Sequence, residues 1–115
     1  MQLYMTTIVA LLNAGTNLKP HSLNKSPDLG AQDTNVTDFV FNSDGTKMFV
    51  IGNKNNSIYE YTLTTNYDVT TASYNNNSFS VDGQDIAPRG IAFNNNGTKM
   101  FVIGSQNNSI YEYTL

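Results

Sequence analysis

The amino-acid sequence predicts an all-β protein built from two tandem repeats, and three observations support this. Residues 41–63 return as residues 93–115 with substitutions only at positions 43, 44, 53 and 54. Runs rich in Val, Ile, Phe, Tyr and Thr alternate with Asn, Asp, Gly and Ser, a pattern typical of short strands separated by turns. A repeat of about 50 residues indicates a unit that buries its apolar surface by stacking on its own copies.

The first two strands of each repeat form a predicted hairpin. A strand at 39–41, or 91–93 in the second repeat, leads through a tight turn into a strand at 47–52 or 99–104. Asp-Gly and Asn-Gly are strong hairpin signals because these residues tolerate positive φ. The predicted structural turn residues are Asp44, Gly45, Asn96 and Gly97.

Two more strands complete each predicted sheet. A second turn at 53–56 or 105–108 leads into SIYEYTL at 57–63 or 109–115. After a loop at 64–72, Tyr74 and residues 78–81 predict a fourth strand. The result is a four-stranded antiparallel sheet per repeat.

Both faces of these strands are apolar. Residues 48–51 carry no polar side chain, and Tyr59, Tyr61 and Leu63 lie on the face opposite Ile58. An antiparallel sheet normally leaves one face in water, so two apolar faces indicate that each sheet lies between two others. A radial array of four-stranded sheets meets that requirement.

The segments FNSDGTKMFVIGN and FNNNGTKMFVIGS resemble the hairpin of YVTN-type and related bacterial and phage β-propeller repeats. The resemblance covers roughly residues 27–115 and includes the connector TTNYDVTTA and the dipeptide Gln-Asp before the first strand. It implies β-propeller blades, two per chain. The implied domains are a non-repeated segment at 1–26, a first repeat at 27–78 and a second at 79–115 without its last strand.

Two blades cannot close a propeller ring, which takes about four to eight. We therefore expect a homo-oligomer that completes the ring, with a trimer favoured. Residues 26–33 take the position of a fourth strand ahead of the first repeat, so one copy could complete the last sheet of the next. The alternative is a fragment of a longer array.

Composition excludes several classes of partner. The net charge of −3 and the scattered Lys and Arg residues argue against nucleic acid. With no cysteine, neither a disulfide framework nor a thiolate metal site can form.

The apolar stretch 5–15 is too short for a membrane span and lacks a basic flank, so we expect a strand or short helix packed on the repeats, or a leader remnant. Localisation is left open, with an extracellular or virion-associated protein favoured.

No catalytic residue, cofactor or metal is predicted. His21 is the only histidine and lies in no catalytic motif, which indicates an exposed loop residue. Oxygen ligands from scattered carboxylates could in principle hold calcium or act as general acids. Asp44 becomes Asn96 in the second repeat, which suits a turn residue better than a ligand. The carboxylates considered are Asp33, Asp38, Asp44, Asp82 and Asp85.

One polar pair repeats outside the hairpin turns. Gln32-Asp33 returns as Gln84-Asp85, and Arg89 replaces Thr37 in the second repeat. The predicted ligand-binding candidates are Gln32, Asp33, Gln84, Asp85 and Arg89. For the pairs, side-chain capping of a loop is the favoured alternative, because Asp bonds nearby backbone amides readily. Asn and Tyr side chains on loops would also suit a carbohydrate ligand.

The sequence thus predicts a non-enzymatic structural or binding module that assembles into a ring and presents loops to a ligand or surface. The alternative is a propeller-type hydrolase or lactonase with an acidic, metal-assisted site at the channel mouth. Carboxylates clustered at that mouth would favour the enzyme, whereas Thr, Asn and apolar groups would favour the binding module.

Overall fold

The computed structural model describes residues 22–23 and 26–115, so the predictions for residues 5–15 and His21 lie outside the described residues. The chain forms two antiparallel sheets, one of four strands and one of three. The predicted all-β fold is confirmed. Within the described part of the chain, no helix is long and apolar enough to cross a membrane.

Each sheet is a simple meander. The first has the order β1-β2-β3-β4 and the second the order β5-β6-β7. A 3-10 turn, Val69–Thr71, precedes β4. The strands are β1 (Val36–Phe41), β2 (Lys47–Gly52), β3 (Ser57–Leu63), β4 (Ala72–Ser80), β5 (Pro88–Phe93), β6 (Lys99–Gly104) and β7 (Ser109–Thr114).

Strand β4 begins earlier than the sequence indicates and is interrupted by a bulge. Tyr74 pairs with Tyr61, but the next paired residue, Asn77, lies opposite Glu60, so two residues have no partner across the ladder. One of them, Asn76, has a φ of 67°. Asn tolerates this left-handed conformation better than most residues. The asparagine cluster at 75–77 therefore bends a strand and does not end it.

Residues 26–33 do not form the expected strand. Residues 26–28 have no regular structure, and the backbone amides of Gln32 and Asp33 both donate to the carbonyl of Leu29. The same turn recurs in the second repeat, where Gln84 and Asp85 donate to Val81. This segment is the turn that leads into the first strand of each repeat.

The first hairpin turn has the same geometry in both repeats. The Gly45 amide donates to the Asn42 carbonyl at 3.2 Å, and the Gly97 amide donates to the Asn94 carbonyl at 3.1 Å. Gly45 and Gly97 have φ values of 73° and 70°, while Asp44 and Asn96 remain outside the left-handed region. Only the glycine of each dipeptide therefore uses positive φ.

The cross-strand register assigns the apolar residues to two faces of each sheet. We call one the leading face, which carries Val40, Phe49, Ile51 and Ile58 in the first sheet and Ala92, Phe101, Ile103 and Ile110 in the second. We call the other the trailing face, which carries Phe39, Phe41, Met48 and Tyr61 in the first sheet and Ile91, Phe93, Met100 and Tyr113 in the second.

The two sheets stack through unlike faces. Ile51 and Ile58 of the first leading face share a core cluster with Ile91 and Met100 of the second trailing face. The rings of Phe49 and Phe93 join the sheets with centroids 4.7 Å apart. The leading face of the first sheet is therefore buried against the second sheet, and most of its trailing face is buried beside Leu29 and Val69 of the same repeat. The second sheet is buried only on its trailing face. Each sheet was predicted to lie between two others, but in the described part of the chain each has one neighbouring sheet.

Candidate functional site

The Asp33 carboxylate closes the second turn of the first repeat. Its Oδ1 accepts the amides of Asn35 at 2.7 Å and Lys54 at 3.3 Å, and its Oδ2 accepts the Asn55 amide at 3.0 Å. The Asn55 side-chain amide returns a bond to the Gln32 carbonyl at 2.9 Å. Asp33 is buried, so these amides satisfy a carboxylate that would otherwise be costly to remove from water.

Asp85 makes the same closure in the second repeat. It accepts the amides of Ala87 at 2.8 Å, Gln106 at 3.3 Å and Asn107 at 3.0 Å. Burial disfavours the Asp85 carboxylate, but the backbone amides that donate to it outweigh burial and lower its pKa below the usual value. The acid therefore remains ionised and bound to the backbone of its own repeat.

The two glutamines tie this turn to the third strand. Gln32 Oε1 accepts the Tyr61 hydroxyl at 2.7 Å, and Gln84 Oε1 accepts the Tyr113 hydroxyl at 3.0 Å. Burial raises the pKa of both tyrosines, so each hydroxyl keeps its proton as a donor. We call each set of Gln, Asp and the turn it closes a polar clamp.

Each polar clamp needs a glycine that the sequence did not single out. A Cβ on Gly52 would collide with the Asp33 carboxyl group, and one on Gly104 would collide with that of Asp85. Both glycines end a strand, next to the turn that the acid closes. The signal was present in the sequence, because the Gly and the Asp recur together at the same positions of both repeats.

Arg89 does not join either polar clamp. Its Nε donates to the Ser105 hydroxyl at 3.1 Å, and the residue is exposed near the start of β5. The structure thus gives four of the five predicted ligand-binding residues contacts within the polar clamps and places Arg89 beside them. Gln84 remains exposed apart from these contacts.

The predicted turn residues make matching hydrogen bonds in the two hairpins, although Gly45 is buried and Gly97 is exposed. Asp44 accepts the amide and hydroxyl of Thr46 at 3.0 and 2.6 Å, and Asn96 accepts those of Thr98 at 3.2 and 2.7 Å. The Thr46 hydrogen bonds lower the pKa of Asp44. Because one acceptor oxygen suffices in both turns, Asp and Asn are interchangeable there.

Asp38 lies between the two sheets, although the sequence indicated it only as a possible metal ligand. Asp38 Oδ1 accepts the Phe39 amide at 2.8 Å, while Oδ2 accepts the Ile91 amide of the second sheet at 3.0 Å. The Thr37 hydroxyl donates to the Pro88 carbonyl at 3.3 Å. Phe39 and Ile91 occupy equivalent repeat positions, so Asp38 caps the same amide in both sheets. We call these contacts the inter-sheet latch.

The second repeat has no counterpart of this latch. Arg89 and Gly90 occupy the positions of Thr37 and Asp38. A Cβ on Gly90 would lie 3.0 Å from Cγ2 of Ile103 and 3.4 Å from Oδ2 of Asp38. The glycine thus gives the Asp38 carboxylate room to reach β5.

An apolar cleft lies between the two sheets. It has a volume of about 350 Å³ and is lined mainly by aromatic and aliphatic side chains of both sheets. Phe79 of β4 packs edge-on against Tyr113 of β7 with ring centroids 5.2 Å apart. The cleft is therefore bounded by aromatic side chains of both sheets.

The largest contrast between the repeats is on the leading faces. Ile51 and Ile58 are 0% and 3% exposed, whereas their counterparts Ile103 and Ile110 are 48% and 68% exposed. An exposed ion pair between Lys99 and Glu112 (2.9 Å) lies at one end of the second leading face. This face is the candidate interaction surface.

Among residues 22–23 and 26–115, no group of three or more His, Asp or Glu side chains is arranged to hold a metal ion.

Comparison with known proteins assigns no family to the chain. No known protein-family description matches the chain. A search of curated proteins also finds no significant match.

Proposed function

We propose that this protein is a non-enzymatic structural or binding module that assembles with copies of itself into a ring of propeller-type blades. The observation that carries the proposal is the exposed leading face of the second sheet. The same face of the first sheet is a core, and the second differs from it in little except that nothing in the described structure covers it.

The energetics favour a ring over an isolated contact. Burying a fully exposed Ile side chain contributes about 1.5–3 kcal/mol. Ile103 and Ile110 begin only partly exposed, and association costs at least about 4 kcal/mol in lost freedom of motion. One such contact is therefore weak. In a closed ring every copy contributes two contacts, and three chains with two sheets each fall within the size range of known propellers, about four to eight blades.

The hydrogen bonds and ion pairs of the carboxylates support a non-enzymatic role. Asp33 and Asp85 are held by backbone amides, and Asp38 joins the two sheets. Glu60 is paired with Lys47, and Glu112 is paired with Lys99. These carboxylates serve the fold, whereas a hydrolase needs acids directed into an open site.

The exposed loops supply the surface for a ligand. The first hairpin turns of the two repeats flank a cleft of about 410 Å³ whose lining includes Asn42, Ser43, Asn94 and Asn95. Ser43 and Asn95 are exposed. Amide and hydroxyl groups of this kind suit a carbohydrate or another polar surface ligand. In an assembled ring this surface would be repeated around one rim.

The mass in solution tests this proposal. Light scattering of the purified chain at micromolar concentration should give a multiple of the monomer mass, with three copies favoured. Ile110→Glu should reduce that mass to the monomer, because it places a charge on the surface that becomes buried.

The control variant is Ile86→Glu. Ile86 is 54% exposed and lies outside both leading faces, and its counterpart in the first repeat is the polar Thr34. This variant should retain the wild-type mass. A folded wild-type monomer would overturn the proposal, and so would an Ile110→Glu variant that assembles like the wild type.

A further inference from the structure

We infer that the open edge of strand β7 binds an extended peptide segment that carries the side-chain pattern of strand β4. The bound segment becomes a fourth strand of the second sheet. This inference goes beyond the proposed self-assembly, because it concerns the edge of the second sheet and needs no second copy of the chain. The partner is a polypeptide segment with a tyrosine and a phenylalanine at the spacing of Tyr74 and Phe79, and with asparagine between them.

Strand β3 shows what this edge accepts, because residues 57–63 and 109–115 are identical in sequence. On one side, each strand pairs in the same register with the KMFVIG strand of its own sheet. On its other side β3 pairs with β4, whereas no described residue pairs with that side of β7. An unpaired strand edge presents backbone N–H and C=O groups to an incoming strand.

The ladder between β6 and β7 determines which backbone groups are available. The Leu115 amide donates to the Thr98 carbonyl at 2.9 Å, so the backbone of Leu115 is directed toward β6. Backbone groups alternate between the two sides of a strand. The amides and carbonyls of Ile110, Glu112 and Thr114 are therefore directed toward the open edge.

The end of β7 lacks the cover that β4 and the preceding 3-10 turn give to β3. Leu63 is 4% exposed and lies in a core cluster with Val69 and Tyr74, whereas its counterpart Leu115 is 64% exposed. Tyr74 also packs against Tyr61 with ring centroids 5.7 Å apart. A strand of the β4 type therefore supplies the side chains that this end of the second sheet lacks.

The apolar cleft between the sheets lies where the tyrosine of an added strand is needed. Tyr113 and Leu115, the counterparts of Tyr61 and Leu63, both line this cleft. Tyr74 lies opposite Tyr61 in the first sheet, so the tyrosine of an added strand lies opposite Tyr113, beside the cleft. The cleft volume of about 350 Å³ is within the range of ligand pockets, about 300–1,000 Å³.

The phenylalanine of the added strand lies against an exposed isoleucine. Phe79 is opposite Ile58, which is 3% exposed because Phe79 and the second sheet both cover it. The counterpart Ile110 is 68% exposed. A phenylalanine in the same register covers part of Ile110, so the two aromatic side chains hold the added strand from opposite faces of the sheet.

An asparagine of the added strand donates to the Glu112 carboxylate. In the first sheet Asn75 Nδ2 donates to Glu60 Oε1 at 2.6 Å, while Glu60 also forms an ion pair with Lys47. Glu112 retains the equivalent ion pair with Lys99 through Oε2, and no side chain in the described part of the chain donates to its Oε1. This free acceptor favours a segment with an amide side chain at that position.

A synthetic peptide of residues 68–81, DVTTASYNNNSFSV, serves as the probe for the full chain. Fluorescence anisotropy of the labelled peptide should show saturable binding. Hydrogen–deuterium exchange should slow at the amides of Ile110, Glu112 and Thr114. A second peptide with alanine in place of Tyr74 and Phe79 should bind at least about tenfold more weakly, because both aromatic contacts are lost.

Glu112→Pro is the matching change in the protein. Proline has no N–H, and the Glu112 amide is directed toward the open edge, so the ladder with β6 is retained. This variant should bind the first peptide at least about tenfold more weakly than the wild type. The control Glu112→Gln keeps the backbone amide and an acceptor oxygen, and it should bind within about twofold of the wild type. Circular dichroism checks that both variants are folded.

Equal binding of the first peptide by the wild type and a folded Glu112→Pro variant overturns this inference. Equal binding of the two peptides, or unchanged exchange at β7, overturns it as well. If Glu112→Pro does not fold, the comparison of the two peptides decides alone. A wild-type dimer that binds no peptide and dissociates in Glu112→Pro indicates instead that β7 pairs with β7 of a second copy. A monomeric wild type that binds the peptide overturns the proposed ring and supports this inference.

Discussion

The two copies of the repeated segment have nearly the same sequence but different surroundings. Strands β2 and β6 are both KMFVIG, yet Ile51 is buried and Ile103 is half exposed. Their strand boundaries are equivalent and their backbone pairings match residue for residue. Local sequence therefore determines the strands and turns, whereas burial depends on which sheet lies against each face.

The polar clamps, unlike the leading faces, have the same surroundings in both repeats. Asp33 and Asp85 accept equivalent backbone amides at nearly equal distances, whether or not the sheet around them is covered. Every group in a polar clamp comes from its own repeat. Contacts within a repeat are therefore preserved between the two copies, and contacts between sheets are not.

The largest expected difference comes from truncating one isoleucine in each copy. Ile51→Ala removes a fully buried side chain and should reduce the free energy of unfolding by about 2–5 kcal/mol. Ile103→Ala removes a half-exposed one and should cost less than about 1.5 kcal/mol in the monomer. Urea denaturation of both variants, at a concentration where the chain is monomeric, measures the difference. Equal losses would contradict the stacking of the second sheet on the first.

Replacing the glycines of the polar clamps with alanine should reduce the free energy of unfolding by a smaller amount, which is the same in the two repeats. Gly52→Ala places a Cβ against the Asp33 carboxyl group and should separate that acid from its amides. We expect a loss of about 1–3 kcal/mol, because buried polar groups lose their partners. Gly104→Ala should reduce the free energy of unfolding by a similar amount. Thermal denaturation of both variants should therefore show nearly equal decreases in melting temperature.

The matched control for these variants is Gly83→Ala. A Cβ added to Gly83 would meet no other atom within 4 Å, and the first repeat carries Ala31 at this position. The melting temperature of this variant should remain within experimental error of the wild type. A Gly52→Ala variant as stable as Gly83→Ala would contradict the close approach of Asp33.

The sequence predicts most of the secondary structure because the strand and turn signals are local. The limits of β2, β3 and β6 agree with the predicted ones, and Gly45 and Gly97 adopt the left-handed conformation that the hairpin signal requires. Strand β4 was predicted too short, because Asn75–Asn77 has the composition of a turn but forms a bulge. A bulge depends on the partner strand, which no local signal reveals.

The candidate site was less predictable, because the inter-sheet latch and the exposure of the second leading face depend on how the sheets stack. Gln32, Asp33, Gln84 and Asp85 could be identified from their repetition. Gly52 and Gly104 repeat as well, but repetition alone does not reveal that each lies against a carboxyl group. The role of Asp38 becomes visible only when the Ile91 amide lies within 3.0 Å of its carboxylate. Likewise, the exposure of Ile103 cannot be inferred from a sequence that is buried in the other copy.

The smallest effect should come from the hairpin glycines, which share a conformation but differ in one neighbour. Replacing either glycine with alanine places a Cβ in the left-handed region, which costs about 1 kcal/mol. At Gly97 no neighbouring atom lies within contact distance, so Gly97→Ala should cost only that amount. At Gly45 the new Cβ would also collide with the ring of Tyr67, a residue from the connector after β3. Gly45→Ala should therefore be the less stable variant by thermal denaturation. Removing the ring with Tyr67→Ala should bring the further effect of Gly45→Ala down to that of Gly97→Ala, and a double-mutant cycle without such coupling would show that the connector does not rest on the first hairpin turn.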